Sequence, residues 1–372
     1  MSHNPGDLAT SVPSPLGGVV RAALAPEPRG DDPPAMSSAE QAPRATRRGS
    51  DFAELCRLIR REGLLDRRPR YYVIKFAVVG ALLAAGWAAF FVIGNSWWQL
   101  ALAVYLALMF AQVGFVGHEA GHRQIFRSRR ANAIVGLVGG NLLIGLSHGW
   151  WVGKHNRHHS HPNQLGKDPD INIAVIAFTP EQAQERRGLL RLMARYQAYF
   201  FFPLLLLEAV SIHVISARAV LLGPVRRRWL EGPLLLAHAV LYVTAVLLVL
   251  PPLRALAFIA VQQGLLGLYL GCAFAPNHKG MLVMSEHEKL DFFRRQVLTS
   301  RNVSGGPVVE TLLGGLNYQI EHHLFPAMPR PSLRRCRTLV RAFCTQTGVL
   351  YSEKGLVGSY GDVLRTLHAA GR

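Results

Sequence analysis

The sequence contains few acidic residues and few cysteines. Its 372 residues include 23 Asp and Glu against 41 Lys and Arg, so the formal net charge at pH 7 is +18. The four cysteines show no paired spacing, which argues against a disulfide framework and a zinc ribbon. Charged residues make up 17% of the chain and hydrophobic residues 50%, a composition unusual for a soluble domain. Basic charge beside apolar stretches is typical of a membrane protein, and no nucleic-acid-binding motif accompanies it.

The first 50 residues show no apolar periodicity and are rich in Pro, Ala, Gly and Ser. This composition predicts a disordered tail over residues 1–50. No signal peptide is recognisable there, because the apolar run at 19–24 is short and Arg21 interrupts it.

Four apolar stretches are long enough to cross a bilayer, which takes about 20 helical residues. They form two hairpins, 76–117 and 233–275, each with a short turn. Two further stretches are ambiguous. The stretch 131–146 has 16 residues, four of them glycine, and 196–215 contains a proline, a glutamate and a histidine that would be costly in lipid.

Seven of the 15 histidines lie in three clusters at helical spacing. Residues three or four apart lie on one helix face, so each cluster presents its imidazoles in one direction. Neutral imidazole binds iron, zinc or copper. A catalytic zinc ion takes three protein ligands, whereas seven imidazoles suit two metal ions. The clusters are His118-Glu119-Ala120-Gly121-His122, His155-Asn156-Arg157-His158-His159 and Gln319-Ile320-Glu321-His322-His323.

Other functions also fit part of this pattern. The first cluster matches the H-E-x-x-H motif of zinc proteases, in which Glu119 would be the general base. A metal transporter is a second alternative, but it would place its polar ligands within the spans, whereas these clusters lie outside them.

The three clusters must lie on one side of the membrane if they form one metal centre. The first cluster follows the second span and the third follows the last span, so an even number of crossings separates them. Four spans satisfy this condition when both ambiguous stretches lie in the interface or the metal domain. Arginines flank the cluster side of the spans, and the positive-inside rule therefore places both termini and the metal centre in the cytoplasm.

The predicted fold class is an all-α membrane protein with four transmembrane helices in two hairpins and a cytoplasmic helical domain that holds the metal centre. The predicted segments, in chain order, begin with a disordered tail at 1–50, a basic cytoplasmic or interfacial segment at 51–75 and the first transmembrane hairpin at 76–117. A cytoplasmic segment at 118–232 follows, with the first two histidine clusters and interfacial helices. The second hairpin at 233–275 and a cytoplasmic segment at 276–372 with the third histidine cluster complete the chain.

Together with the spans, the strings Gly117–His122, Lys154–Asn163 and Asn317–Pro329 give the chain a family resemblance. From about Arg70 to Val340 the sequence resembles the membrane fatty acid desaturases. The string Gln-Ile-Glu-His-His-Leu-Phe-Pro at 319–326 is similar to the acyl-lipid and front-end branch. The resemblance implies an oxidoreductase that uses O2 and two Fe ions to place a cis double bond in a long acyl chain. Related diiron hydroxylases and ketolases remain alternatives.

The resemblance also implies roles for individual residues. Gln319 stands where related enzymes have a histidine, and we expect a weak or water-mediated ligand there. His148, His161, His213, His238 and His287 are expected to be structural or ordinary. The expected side chains that orient the ligands are Glu119, Asn156, Asn277 and Glu321. The expected iron ligands are His118, His122, His155, His158, His159, His322 and His323, to which family comparison adds His278.

The resemblance further implies the partners. The front-end branch often carries a fused cytochrome domain, and the tail holds no His-Pro-Gly-Gly haem signature. We therefore expect a separate electron donor, such as a ferredoxin or a reductase. The expected substrate is a long acyl chain on coenzyme A or a phospholipid, the expected surroundings are membrane lipid, and no nucleic acid is expected. Trp150, Trp151, Lys154 and Arg157 either line a substrate entrance or form a solvated basic loop.

Overall fold

The computed structural model describes residues 50–223 and 225–372. The predicted disordered tail lies outside these residues, apart from Ser50 at its end. In the described part, β-structure is limited to a two-stranded parallel sheet of β1, Asn302–Ser304, and β2, Glu353–Gly355, and one isolated bridge. The helices are α1 Asp51–Arg61, α2 Pro69–Ile93, α3 Gln99–Gly121, α4 Arg129–Gly136, a π-helix Leu137–Leu143, α5 His148–Ser160, α6 Pro180–Glu185, α7 Gly188–Arg195, α8 Gln197–Leu205, α9 Glu208–Leu222, α10 Arg228–Val249, α11 Pro252–His278, α12 Phe292–Leu298, α13 Gly306–Leu312, a 3-10 helix Leu316–Tyr318, α14 Gln319–Leu324, α15 Arg330–Thr347 and α16 Leu356–Ala370.

Four helices, α2, α3, α10 and α11, are long and apolar enough to cross a membrane. They form the two predicted hairpins, and α3 packs against both α2 and α11. The first hairpin closes at Gly94, where φ is +63°, a conformation that glycine adopts without strain. Gln99 donates from Nε2 to the carbonyl oxygens of Phe90 and Gly94 at 2.7 and 2.9 Å, so these two backbone acceptors at the end of α2 have hydrogen-bond partners. The predicted all-α membrane class is confirmed.

Each of the two ambiguous stretches belongs to a broken helix pair. The segment from α4 through the π-helix meets α5 at 114°, and α8 meets α9 at 69°. Gly145, with φ of +68°, lies at the first break, and Pro203 lies inside α8 just before the second. Each pair is apolar enough to count as one bent span, so composition alone allows four to six crossings.

Buried polar groups hold the first break together. The Glu231 carboxylate on α10 accepts hydrogen bonds from Asn141 Nδ2 at 3.1 Å and Ser147 Oγ at 2.6 Å. His213 and His238 each bond through Nδ1 to a carbonyl oxygen of the broken segment, at 2.9 and 3.0 Å. Broken backbone at membrane depth is tolerated where protein groups satisfy it. The network thereby fixes the residues that lead into α5.

A hydrophobic core on the third-cluster side positions α14. It joins α1, α12, α14 and α15 through side chains such as Leu55, Phe293, Ile320 and Val340, all of which are fully buried. Because α14 has only six residues, it could not be stable alone. Its position depends on this core and on the 3-10 turn that precedes it.

Candidate metal centre

The three histidine clusters and the end of α11 meet in one place. The first cluster ends α3, the second lies on α5, the third lies on α14, and His278 is the last residue of α11. Ser147 caps α5 by accepting a hydrogen bond from the Trp150 amide at 3.2 Å, so the second cluster starts from a fixed end. All seven histidines of the clusters are buried and His278 is partly buried.

One group of imidazoles, called site A here, comprises His118, His122, His155 and His322. Their ligand atoms all lie within 4.8 Å of one another. The Nε2 atoms of His118 and His155 are 3.2 Å apart. Imidazole nitrogens bind a metal such as zinc at about 2.1 Å, so neighbouring nitrogens on one ion lie about 3 Å apart. The spacing in site A is what a single bound ion requires.

A second group, site B, comprises His158, His278 and His323, again within 4.8 Å of one another. The Nε2 atoms of His158 and His278 are 3.3 Å apart. Gln319 places its amide nitrogen 2.8 Å from His278 Nε2, so this glutamine borders site B.

His159 lies between the two sites. Its Nε2 atom is 3.1 Å from His155 Nε2 in site A, and its ring stacks on that of His323 in site B with centroids 4.1 Å apart. The predicted ligands are thus all brought together, in two adjacent groups.

Unpartnered ring nitrogens show that these residues fit a metal. Nε2 of His122, His322 and His323 and Nδ1 of His159 are buried and have no hydrogen-bond partner among the described residues. Burial lowers the pKa of His322 and His323 well below the usual range and that of His122 to about 3, so these rings are neutral. A buried nitrogen lone pair without a partner is costly unless it binds a ligand. An all-nitrogen donor set of this kind suits iron, zinc or copper.

Two rings of site B are held by groups that no sequence pattern identified. His278 Nδ1 bonds to the Thr299 carbonyl oxygen at 3.0 Å, and His323 Nδ1 bonds to Gln296 Oε1 at 2.9 Å. A ring that donates from Nδ1 keeps its Nε2 lone pair for a metal. Gln296 lies on α12 and Thr299 directly follows that helix, so both lie outside the three clusters, and nothing in the sequence points to them.

The two glutamates in the clusters are placed differently from the expectation that they orient imidazoles. Glu119 forms an ion pair with Lys75 of α2 at 2.6 Å, and both side chains are buried. Glu321 accepts hydrogen bonds from Asn302 Nδ2 at 2.7 Å and from the Tyr351 hydroxyl at 2.8 Å. The residue next to a helical histidine projects about 100° away from it around the helix axis. A Glu119 held by Lys75 is also unsuited to be the general base of a zinc protease.

The two expected asparagines also differ from each other. Asn156 is exposed on the face of α5 opposite to the buried rings, and its side chain makes no hydrogen bond with them among the described residues. Asn277 is buried and bonds from Nδ2 to the Ala273 carbonyl oxygen at 3.1 Å and to Gln319 Oε1 at 3.4 Å. Asn277 therefore acts on the border of site B through Gln319.

The remaining histidines lie outside both groups of imidazoles. His148 lies against Gly136, where a Cβ atom would overlap its ring, and His287 is exposed. Of the residues considered for a substrate entrance, Trp151 stacks on His155 with centroids 4.5 Å apart, and Lys154 forms an ion pair with Asp170.

Comparison with known proteins agrees with this geometry. A family model described as fatty acid desaturase matches residues 95–355, which include all three clusters and His278. The chain belongs to the fatty acid desaturase family. This confirms the resemblance seen in the sequence and argues against the zinc protease and the transporter.

Desaturases from several organisms are similar to this chain. It is 34% identical over 328 residues to an acyl-lipid (9-3)-desaturase of Physcomitrium patens, an alignment covering 85% of this chain and 62% of that protein. It is 30% identical over 326 residues to the Delta(6)-fatty-acid desaturase fat-3 of Caenorhabditis elegans, with 84% and 72% covered. It is 29% identical over 343 residues to fatty acid desaturase 3 of Bos taurus, with 89% and 75% covered. The chain thus spans between three fifths and three quarters of the length of these desaturases.

Proposed function

We propose that this protein is a membrane-bound diiron desaturase that introduces a cis double bond into a long acyl chain. The observation that carries the proposal is the pair of adjacent imidazole groups, sites A and B, built from all three clusters and His278. The proposed iron ligands are His118, His122, His155 and His322 in site A, His158, His278 and His323 in site B, and His159 between them.

Two bound iron ions supply the oxidising power that an unactivated acyl chain requires. In balance, O2, two electrons and two protons remove two hydrogens from adjacent methylene groups and leave one double bond and two waters. The protein holds and shields the centre. The seven cluster imidazoles are buried, and Trp151 covers His155. Exclusion of water protects a strong oxidant from side reactions.

We further propose that the acyl chain is carried by a phospholipid or by coenzyme A and that a separate ferredoxin or reductase supplies the electrons. The acyl-lipid substrate in the name of the Physcomitrium patens protein supports the lipid carrier for this chain. A lipid substrate would reach the centre from the membrane in which α2, α3, α10 and α11 lie.

The proposed topology has four crossings, with both termini and the metal centre in the cytoplasm. Two observations support it. The clusters converge, so the crossings between them must be even in number, and the sharp bends at 114° and 69° argue against straight additional spans. The two short hairpin turns also contact each other, because Arg254 donates to Asn95 Oδ1 at 2.6 Å. This contact supports a common side for the two turns, which in the proposed topology is the side opposite to the clusters.

Expression in a host that makes only saturated and monounsaturated acyl chains tests the activity. We expect acyl chains with one additional double bond, detected by mass spectrometry of the host lipids. His322→Ala should give no product, because it removes a site A ligand, and His287→Ala should give the normal product, because His287 is exposed. Hydroxylated or keto products in place of the alkene would contradict desaturation and favour the related diiron oxygenases.

Single cysteines in a variant without the four native cysteines test the topology. A cysteine at Ser96, in the first hairpin turn, and one at Leu253, in the first turn of α11, should react with an impermeant maleimide added to intact cells. Cysteines at Arg129, Arg187 and Arg226, which are exposed on the cluster side, should react only after permeabilisation. Labelling at Arg226 in intact cells would mean that one bent pair crosses the membrane, and four crossings would be wrong.

A further inference from the structure

Sites A and B are not equivalent in their donors. Site A has four imidazoles, and His159 adds a ring nitrogen 3.1 Å from His155. Site B has three imidazoles and the neutral amide of Gln319. A metal in site B therefore has fewer strong nitrogen donors than one in site A.

A buried carboxylate stands directly behind site B. Asp168 has no exposed surface, and both of its oxygens lie 3.0 to 3.1 Å from His158 Nδ1. It also accepts hydrogen bonds from the backbone amides of Asn163 at 2.7 Å and Asp170 at 2.9 Å, one on each oxygen. A carboxylate has acceptors on both oxygens, whereas an amide has an acceptor on one side and donors on the other. The surrounding donors thus match the two acceptor oxygens of an aspartate at this position.

The charged side chains around the two sites also differ, and more negative charge lies behind site B than beside site A. Behind site B, Asp170 adds a second carboxylate 3.4 Å from His158 Nδ1, and Lys154 pairs with it. Beside site A, Lys75 at 2.6 Å neutralises the carboxylate of Glu119. Lys279 also lies near both carboxylates, so Asp168 and Asp170 meet two cations behind His158. Beside site A the single carboxylate of Glu119 meets Lys75 and, at 4.0 Å, Arg330, so the balance of charge is more positive there.

We propose that Asp168 is the positioning residue that fixes His158 for site B and supplies negative charge through that ring, so that metal in site B depends on Asp168. A carboxylate behind a ligating imidazole sets its tautomer and raises its basicity. The inference rests on the proposed diiron function, since it concerns how the second ion is held. It makes the two ions unequal: site A holds its ion with imidazoles alone, and site B requires the carboxylate.

Iron binding by Asp168→Asn tests the inference apart from turnover. After reconstitution with ⁵⁷Fe and exposure to a chelator, we expect the iron content to fall by about half, because loss of such a carboxylate typically weakens metal binding about 10–100-fold. The Mössbauer spectrum should lose or shift one quadrupole doublet and keep the other. Asp291→Asn is the matched control: Asp291 caps α12 from the surface and pairs with Arg294, so both doublets should be unchanged.

A double variant separates a role through His158 from a general role in folding. If Asp168 acts through His158, iron content in Asp168→Asn/His158→Ala should equal that in His158→Ala alone, because the two residues form one unit. Full iron and an unchanged spectrum in Asp168→Asn would overturn the inference. Equal loss of both doublets, with a lowered unfolding temperature, would also overturn it, since Asp168 would then support the fold. A wild-type protein that cannot hold two irons would instead contradict the proposed function.

Discussion

His278→Ala is expected to lose the iron of site B and all desaturated product. His278 lies outside the three clusters, yet its Nε2 atom is 3.3 Å from His158 Nε2 and its Nδ1 atom bonds to the Thr299 carbonyl oxygen. Site B has three imidazoles, so removal of one leaves two and the Gln319 amide. Iron should fall from two ions per chain to about one, because two imidazoles of this group hold an ion more weakly than three.

The measurement is iron per chain by elemental analysis, together with acyl-chain analysis of the same preparations. His158→Ala should behave like His278→Ala, since both rings belong to site B. His287→Ala should keep full iron and full activity, because exposed substitutions change stability by only about 0.5 kcal/mol. Normal iron content and activity in His278→Ala would remove this residue from the proposed ligands.

The spacing of the histidines made the composition of the centre predictable. On a helix, i, i+3 and i+4 share a face, and this local rule alone brought His155, His158 and His159 to one side of α5. The rule does not say which ring joins which ion. His155 contacts site A, whereas His158, three residues later, belongs to site B. That division depends on the positions of α3, α11 and α14 around α5, which are tertiary.

The groups that orient the rings were not predictable in the same way. Glu119 and Glu321 were expected in that role. Instead, the Glu119 carboxylate pairs with Lys75, and the Glu321 carboxylate accepts a hydrogen bond from Asn302. Asp168 was not identified from the sequence either. It follows the second cluster by nine residues in Asp168-Pro169-Asp170, but close acid pairs also occur at Asp31-Asp32 and Glu286-His287-Glu288, so the pair is not distinctive.

Hydropathy located the four long helices, with a largest difference of seven residues at the start of α2, because a helix of about 20 apolar residues matches the thickness of the hydrocarbon core. It did not resolve the broken pairs. Their bends are held by polar residues distant in sequence, such as Glu231 bonding Asn141 and Ser147. In the sequence, a glutamate near the start of α10 looks like part of a basic loop, and only the fold shows that it supports the break before α5.

Arg301→Ala is expected to destabilise the cytoplasmic part of the protein more than removal of any surface charge. Arg301 is 1% exposed. Its guanidinium donates to the carbonyl oxygens of Pro276 at 2.7 and 3.0 Å and of Lys279 at 2.9 Å, and to Asp362 at 2.6 Å. It thereby joins the end of α11, which carries His278, to α16. Asp362 would keep Lys354 and Arg365 as partners, but the buried carbonyl oxygens of Pro276 and Lys279 would lose their donor, at a cost of about 1–3 kcal/mol for each unsatisfied group.

Arg365 provides a control on the same carboxylate. It also pairs with Asp362, but its side chain is 72% exposed, so Arg365→Ala should cost about 0–1 kcal/mol. Thermal unfolding in detergent should show a large decrease in midpoint for Arg301→Ala and almost none for Arg365→Ala. Arg301→Lys should remain destabilised, because an ammonium group cannot reproduce the planar set of donors that reaches both carbonyl oxygens and Asp362. Iron should be lost at a lower temperature in Arg301→Ala, since the Arg301 guanidinium binds the end of α11 that carries His278. Equal midpoints for the Arg301 and Arg365 variants would show that the burial of this guanidinium contributes nothing to holding α16 on α11.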